Sequence, residues 1–341
     1  MRDNTVSIAK GFAIVLMVLA HTCFCDTGDK WINMFHMPLF FFFAGYCFKD
    51  KYLTDFRTFA IKRITGLYKP YVKWSLVFLI FHNIFYHLNI YNGEYGFRGR
   101  VSELYSTAVF AKRAVIILST MAGHDQLLGG YWFLKSLFTC SFIGYATIKY
   151  VNNIKIGGGI LLVLTIITSY YNISIRYLAV GDRELFAALF FVFGYGYKKG
   201  NYNVHNCWWI IPLGLSLVTL GEMFWSCNLL LFNYKQVIPF LFSAVAGLLM
   251  VFKVSALINL KDCQIKKLFV YIGNNTLTIF TWHFLSFKIV SLMIIVINRL
   301  SIERLAEFPV IEQYSVQGWF FLYFIIGIIV PLAFTRIKIL K

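Results

Sequence analysis

Long apolar runs separated by short polar segments dominate this chain. A helix needs about 20 mostly apolar residues to cross the hydrocarbon core of a bilayer. Ten stretches approach that pattern: 5–24, 33–49, 70–90, 131–150, 156–173, 184–198, 207–226, 236–253, 273–297 and 316–336. Two of them, 33–49 and 184–198, are short for a full span, a length that fits a thinned bilayer or packing around a cavity. A further segment, "TAVFAKRAVIILSTM" at 107–121, is apolar but carries Lys112 and Arg113, which suits a helix lying in the interface. The pattern predicts an all-α, polytopic transmembrane helix bundle of about ten spans, forming a single domain over 1–341.

Composition agrees with that pattern. Of the 341 residues, 59% are hydrophobic and 14% charged, against about 25% charged in a soluble domain. The formal net charge is +17, from 32 Lys and Arg against 15 Asp and Glu. Such a balance can mark a nucleic-acid binder, but in a membrane chain it reflects basic loops on the cytoplasmic side, and no nucleic acid is expected. With the N-terminus inside, 20 of the 32 basic residues fall on the cytoplasmic side, in loops or at the cytoplasmic ends of apolar runs, and 10 on the opposite side, while Lys135 and Lys288 lie deeper within spans. The excess predicts an N-in, C-in topology. The first apolar run is followed by "TCFCDTGD" rather than a small-residue cleavage pattern, so it is read as a membrane helix and not a signal peptide. The seven cysteines form no CxxC pair and no zinc-ligand spacing, and no metal is expected.

Titratable groups inside apolar runs are costly, and they draw attention to particular positions. "NTVSIAKGFAIVLMVLAH" at 4–21 holds Lys10 and His21. Eleven residues at about 100° each make three turns plus about 20°, so the two side chains share one helix face, about 16–17 Å apart along the axis. The plain reading is that Lys10 snorkels to the interface and His21 makes an interhelical hydrogen bond. The functional reading is a polar track with a cation at the cytoplasmic mouth and a general base further in.

The next stretch, "NMFHMPLFFFFAGYCF" at 33–48, makes an antiparallel hairpin with the first. It places His36 at a depth similar to His21, with Pro38 in the first helical turn and Gly45 allowing close helix approach. "FAIKRITGLYKPYVKW" at 59–74 sets Lys62, Arg63, Lys69 and Lys73 on the cytoplasmic side. These satisfy the positive-inside rule in any case, and would also attract a polyanionic ligand, Arg offering planar bidentate contacts to phosphate. "GGYWFLKSLF" at 129–138 turns the chain at two glycines. "IGNNTLTIFTWHFLSF" at 272–287 offers Asn274, Asn275 or Thr276 as a helix cap and places His283 inside a span. For His283, Glu184 and Glu222 the ordinary reading is interhelical pairing.

Taken in order, "IAKGFAIVLMVLAH", "FHMPLFFFFAGY", the basic run ending "LYKPY", "YWFL" and "IGNNTLTIFTWH" resemble the integral-membrane acyltransferase 3 family, especially its fucose 4-O-acetylase-like sugar O-acetyltransferases. The most specific element is a basic residue, ten intervening residues and a His, carried here by Lys10 and His21. The resemblance implies a ten-helix enzyme of the bacterial cytoplasmic (inner) membrane. It would transfer an acetyl group from cytoplasmic acetyl-CoA to a hydroxyl of a cell-surface or lipid-linked glycan, with the lipid bilayer as its setting. It implies His21 as general base or nucleophile, Lys10 as its basic partner, and Lys10, Lys62 and Arg63 as contacts to the CoA phosphates. His36 is a candidate oxyanion donor. Two features depart from the family pattern: Ala44 stands where a Ser usually precedes the Gly, and only Lys62 and Arg63 stand near a pair of Arg spaced three apart. The competing expectation is a transporter or exporter in which His21, His36 and Glu222 relay protons.

Overall fold

The structure is a computed structural model that describes residues 4–96, 101–151, 153–175 and 180–335. Of the basic residues counted for topology, Arg2, Arg98, Arg100, Arg176, Arg336, Lys338 and Lys341 lie outside the described residues. Among the described residues the regular elements are helices, with two isolated bridges, Ile175 to Val180 and Asn228 to Leu231. The chain is all-α, as its apolar runs predict.

In chain order the helices are α1 (Asn4–Ala20), α2 (Asp26–Asn33), α3 (His36–Tyr46), α4 (Lys51–Thr54), α5 (Phe56–Arg63), α6 (Lys69–His87), α7 (Thr107–Thr120), α8 (Trp132–Tyr150), α9 (Ile154–Tyr170), α10 (Asp182–Lys199), α11 (Ile210–Phe224), α12 (Val237–Leu260), α13 (Gln264–Asn274), α14 (Thr276–Asn298), the short α15 (Glu312–Tyr314) and α16 (Phe320–Phe334). Each of the ten apolar runs holds a helix, and the interfacial segment is α7. Among the described residues, three helical stretches are long and apolar enough to cross a membrane: Val237–Leu260, Thr276–Asn298 and Glu312–Phe334. Several others are shorter apolar helices.

Local chemistry sets the helix ends. Asp55 caps α5 by accepting from the Thr58 amide, and Asn153 caps α9 by accepting from the amides of Lys155 and Ile156. In α10, Asp182 and Glu184 stand in the first turn and Lys198 and Lys199 in the last, each complementing the helix dipole. Asn275 stands at the N-cap of α14 without a side-chain capping bond.

The outward faces identify the solvent. In α9 the buried positions are Gly157, Leu161, Thr165 and Ser169, a stripe of mostly small or polar residues. Its exposed positions include Ile156, Ile160, Val163, Leu164 and Ile167. α11 repeats this, burying Gly214 and Gly221 while exposing Leu213, Leu220, Met223 and Phe224. A water-soluble protein would not leave apolar faces of this extent uncovered. Small residues inward and large apolar residues outward suit helices that pack closely while facing lipid.

Contacts group the chain into two compact units. One comprises Met1–Leu16, Lys30–Leu67 and Ser136–Asn274; the other comprises Met17–Asp29, Tyr68–Lys135 and Asn275–Lys341. In the first unit α3 crosses α10, α9 packs on α10, and α11 pairs with α12. Phe48, Tyr52, Phe59, Tyr145, Phe191 and Tyr195 form an aromatic core there. In the second unit α14 pairs with α16 and α6 with α7. A buried polar knot in this unit ties α6 to residues on either side of α7. The His82 Nδ1 lies 3.4 Å from Asp125 and its Nε2 3.1 Å from the Glu103 carbonyl, while Tyr91 donates to the other Asp125 oxygen. The Tyr105 ring stacks on His82 at 3.4 Å.

Candidate active site

The α1 helix runs unbroken from Asn4 to Ala20, so Lys10 and His21 stand at the offset that their spacing predicts. His21 is the first residue past the helix, and its amide still bonds the Met17 carbonyl at 3.1 Å. The turn that follows is fixed in the second unit. Thr22 is fully buried, its hydroxyl bonds the Leu19 carbonyl at 2.7 Å, and Ser315 donates to the Thr22 carbonyl. An imidazole carried on such a turn has its direction set by the fold rather than by solvent.

That direction leads to α14. The Nδ1 of His21 lies 3.0 Å from the Nε2 of His283, and the ring planes are 11° apart. His283 is fully buried, and its own Nδ1 lies 3.1 Å from the Ile279 carbonyl and 3.0 Å from that of Phe280. Phe284 packs against both imidazoles, 4.8 Å from His21 and 4.0 Å from His283 between ring centroids. One turn further along α14, the buried Lys288 donates to the carbonyls of Leu305 at 2.9 Å and Glu307 at 2.6 Å. This ties the 3₁₀ turn Ile302–Ala306 to the helix that carries His283.

The Gly-Gly-Tyr stretch packs against the same helix. Gly130 abuts the Phe280 ring so closely that a Cβ there would lie 2.7 Å from it. Tyr131 then stacks on Phe280, with centroids 5.5 Å apart, and its hydroxyl lies 2.7 Å from the Thr281 hydroxyl. Two motifs singled out separately in the sequence thus form one packed wall around His283. Tyr71 of the "LYKPY" motif joins it, its ring 5.6 Å from Tyr131 and its hydroxyl 3.2 Å from His124.

The remaining candidates belong to the first unit. Lys10 is partly buried on α1. His36 opens α3, is buried, and its Nδ1 lies 2.9 Å from the Ile32 carbonyl, so that nitrogen carries the proton. In a neutral ring its other nitrogen has no hydrogen to donate; only the imidazolium presents a second N–H. Lys62 is exposed, with its amine 5.5 Å over the Tyr52 ring. Arg63 is more deeply set, its guanidinium 5.2 Å from the Phe59 ring centroid and 5.7 Å from that of Phe191. Burial lowers its pKa from the ordinary value. Its Nε is buried without a hydrogen-bond partner among the described residues. A π-helical turn, Ile64–Tyr68, follows directly, a backbone form frequent at functional sites.

Glu184 is fully engaged, accepting from Ser136 at 2.7 Å, Arg183 at 2.9 Å and the Gly181 amide at 3.2 Å. Glu222 lies on α11. The structure therefore pairs His21 with His283: the sequence marks each as fit for an interhelical pairing, but does not name one as the other's partner. Nothing in the local pattern of either span signals a partner 262 positions away.

A family model described as an acyltransferase domain matches residues 3–336, nearly the whole chain and parts of both units. No curated protein and no solved structure matches the chain.

Proposed function

The chain belongs to the acyltransferase 3 family, and on that premise we propose that it is a membrane-bound O-acetyltransferase. It moves an acetyl group from cytoplasmic acetyl-CoA to a hydroxyl of a cell-surface or lipid-linked glycan. It resides in the cytoplasmic membrane of a bacterium and crosses it about ten times with both ends inside. The apolar outer faces of α9 and α11 support a bilayer setting, and the basic bias of alternate loops supports the orientation.

His21 is the general base. It takes the proton of the acceptor hydroxyl as that oxygen attacks the thioester carbonyl, forming a tetrahedral intermediate. The intermediate collapses by breaking the C–S bond, and the proton on His21 passes to the departing CoA sulfur. The products are the acetyl ester and free CoA thiol. Lys10, Lys62 and Arg63 hold the donor's phosphates by charge-assisted hydrogen bonds. The unpartnered Nε of Arg63, braced between two phenyl rings, suits such a contact. The developing oxyanion needs a hydrogen-bond donor; His36 fills that role only as imidazolium.

The observation that carries this reading is the fixed imidazole of His21 in a chain of this family. The test is mass spectrometry of surface glycans from cells with the wild-type protein and with His21→Ala. Removal of a general base costs about 10²–10⁴-fold in rate, so the acetylated species should vanish while membrane protein level stays normal. Acetylation retained in the variant would refute the role given to His21.

A further inference from the structure

The geometry points to His283 as the positioning residue that fixes the tautomer of His21 and so selects Nε2 as the nitrogen that handles the acceptor's proton. This rests on the acetyl-transfer reading for its catalytic meaning, but the pairing itself follows from hydrogen-bond chemistry alone.

A neutral imidazole carries one N–H and one lone pair. The Nδ1 of His283 faces two backbone carbonyls, Ile279 at 3.1 Å and Phe280 at 3.0 Å, both acceptors only. The hydrogen of His283 therefore sits on Nδ1. Turning the ring over would set carbon against both carbonyls. Its Nε2 is then an acceptor, and the atom 3.0 Å away is the Nδ1 of His21. That nitrogen must donate. His21 is thereby protonated on Nδ1 and carries its lone pair on Nε2.

The consequence is a three-part chain: backbone carbonyls of α14, His283, then His21. Each link is an ordinary hydrogen bond, and its order is set by carbonyls that cannot change their role. When Nε2 of His21 takes a proton, its Nδ1–H remains on His283, and that bond becomes charge-assisted and stronger. The base is thus supported in its charged form without any group having to move. The logic is that of a base oriented by a third group, with a histidine as the orienter. His283 does not touch the reacting atoms. The flanking rings of Phe280, Phe284 and Phe287 hold it in place.

The experiment compares wild type, His283→Phe and His283→Gln in detergent or nanodiscs. Phe keeps ring bulk and removes the acceptor. Gln places its amide oxygen the same number of bonds from Cα as the histidine Nε2, and restores an acceptor. We expect His283→Phe to lower kcat by about 10–100-fold with the KM for acetyl-CoA unchanged, and His283→Gln to recover most of that loss. In ¹⁵N-histidine spectra, the His21 signals are identified by their loss in His21→Gln. They should show a protonated Nδ1 and an unprotonated Nε2 in wild type, and a mixed state in His283→Phe. Equal kcat in all three proteins, or a His21 protonated on Nε2 in wild type, would overturn the inference. Absence of any donor-dependent transfer by wild type would instead overturn the proposed function.

Discussion

Gly45 of α3 and Gly194 of α10 form one reciprocal crossing. A Cβ on Gly45 would lie 1.8 Å from the carbonyl oxygen of Phe191, and a Cβ on Gly194 would lie 2.0 Å from that of Phe42. Each helix thus sets its glycine against the other's main chain. The obstacle in both directions is backbone, which cannot swing aside as a side chain can.

Gly45→Ala and Gly194→Ala should therefore each force the two helices apart. Overpacking a tight contact costs about 1–3 kcal/mol, and a backbone obstacle places these variants at the upper end. The expected result is a marked fall in thermal midpoint, read by fluorescence-detected size exclusion in detergent. The aromatic core of Phe48, Phe59 and Phe191 beside the crossing would loosen with it. A midpoint equal to wild type for either variant would show that the helices do not approach this closely.

Arg63 should govern donor affinity. Charge-assisted hydrogen bonds contribute about 1.5–3 kcal/mol, so Arg63→Gln should raise the KM for acetyl-CoA about 10–150-fold with a smaller effect on kcat. Lys62, which is exposed, should matter less. Arg63→Lys should recover only part of the loss, because a point charge lacks the planar fork that also stacks between Phe59 and Phe191. An unchanged KM in Arg63→Gln would remove Arg63 from the donor site.

The apolar helices were legible from the sequence because lipid imposes a local rule, a long apolar run; the short, more polar α2, α4, α5 and α13 carry no such run and were not. Gly45 could also be read, since a glycine among bulky phenylalanines has few uses besides close approach. The partner of His21 could not. His283 lies 262 residues away, and no periodicity within either span encodes that meeting. The wall made by Gly130, Tyr131 and Phe280 was hidden for the same reason, although each motif was visible by itself. Local chemistry also misleads at single positions. Asn275 has the right type to cap α14, yet makes no side-chain capping bond there. His36 resembles a spare hydrogen-bond donor in the sequence, yet one of its nitrogens is already committed to Ile32.

Asp29 should make stability depend on pH. It lies in α2, outside the spans, and its pKa is raised from 3.8 to about 7, first by burial, then by Asp26 and Glu312. A carboxyl raised in the folded state resists losing its proton there. Near pH 4 and below, the group is protonated in the folded protein and costs nothing. As pH rises towards 7 the unfolded chain releases a proton that the folded chain keeps, so stability falls across that window and levels off above it. Asp29→Asn should flatten this part of the profile. The check is the thermal midpoint at a series of pH values for both proteins, and parallel curves would contradict the assignment.

Lys288 should act through the turn it holds. Its amine is buried and bonds the carbonyls of Leu305 and Glu307, which fixes the 3₁₀ turn Ile302–Ala306 against α14. Lys288→Met keeps most of the side-chain bulk and strands those carbonyls, at about 1–3 kcal/mol for a buried group left without its partner. The loss should be local, because α14 keeps its pairing with α16 through Ser291 and Tyr323, whose hydroxyls lie 2.8 Å apart. Hydrogen exchange should therefore rise across 302–308 while the amides of α14 stay protected. Activity should fall less than in His283→Phe, because the His21–His283 bond does not pass through Lys288. Exchange that stays at the wild-type level in 302–308 would show that the turn's other contacts, among them the Asn92 amide on the Glu303 carbonyl, hold it without Lys288.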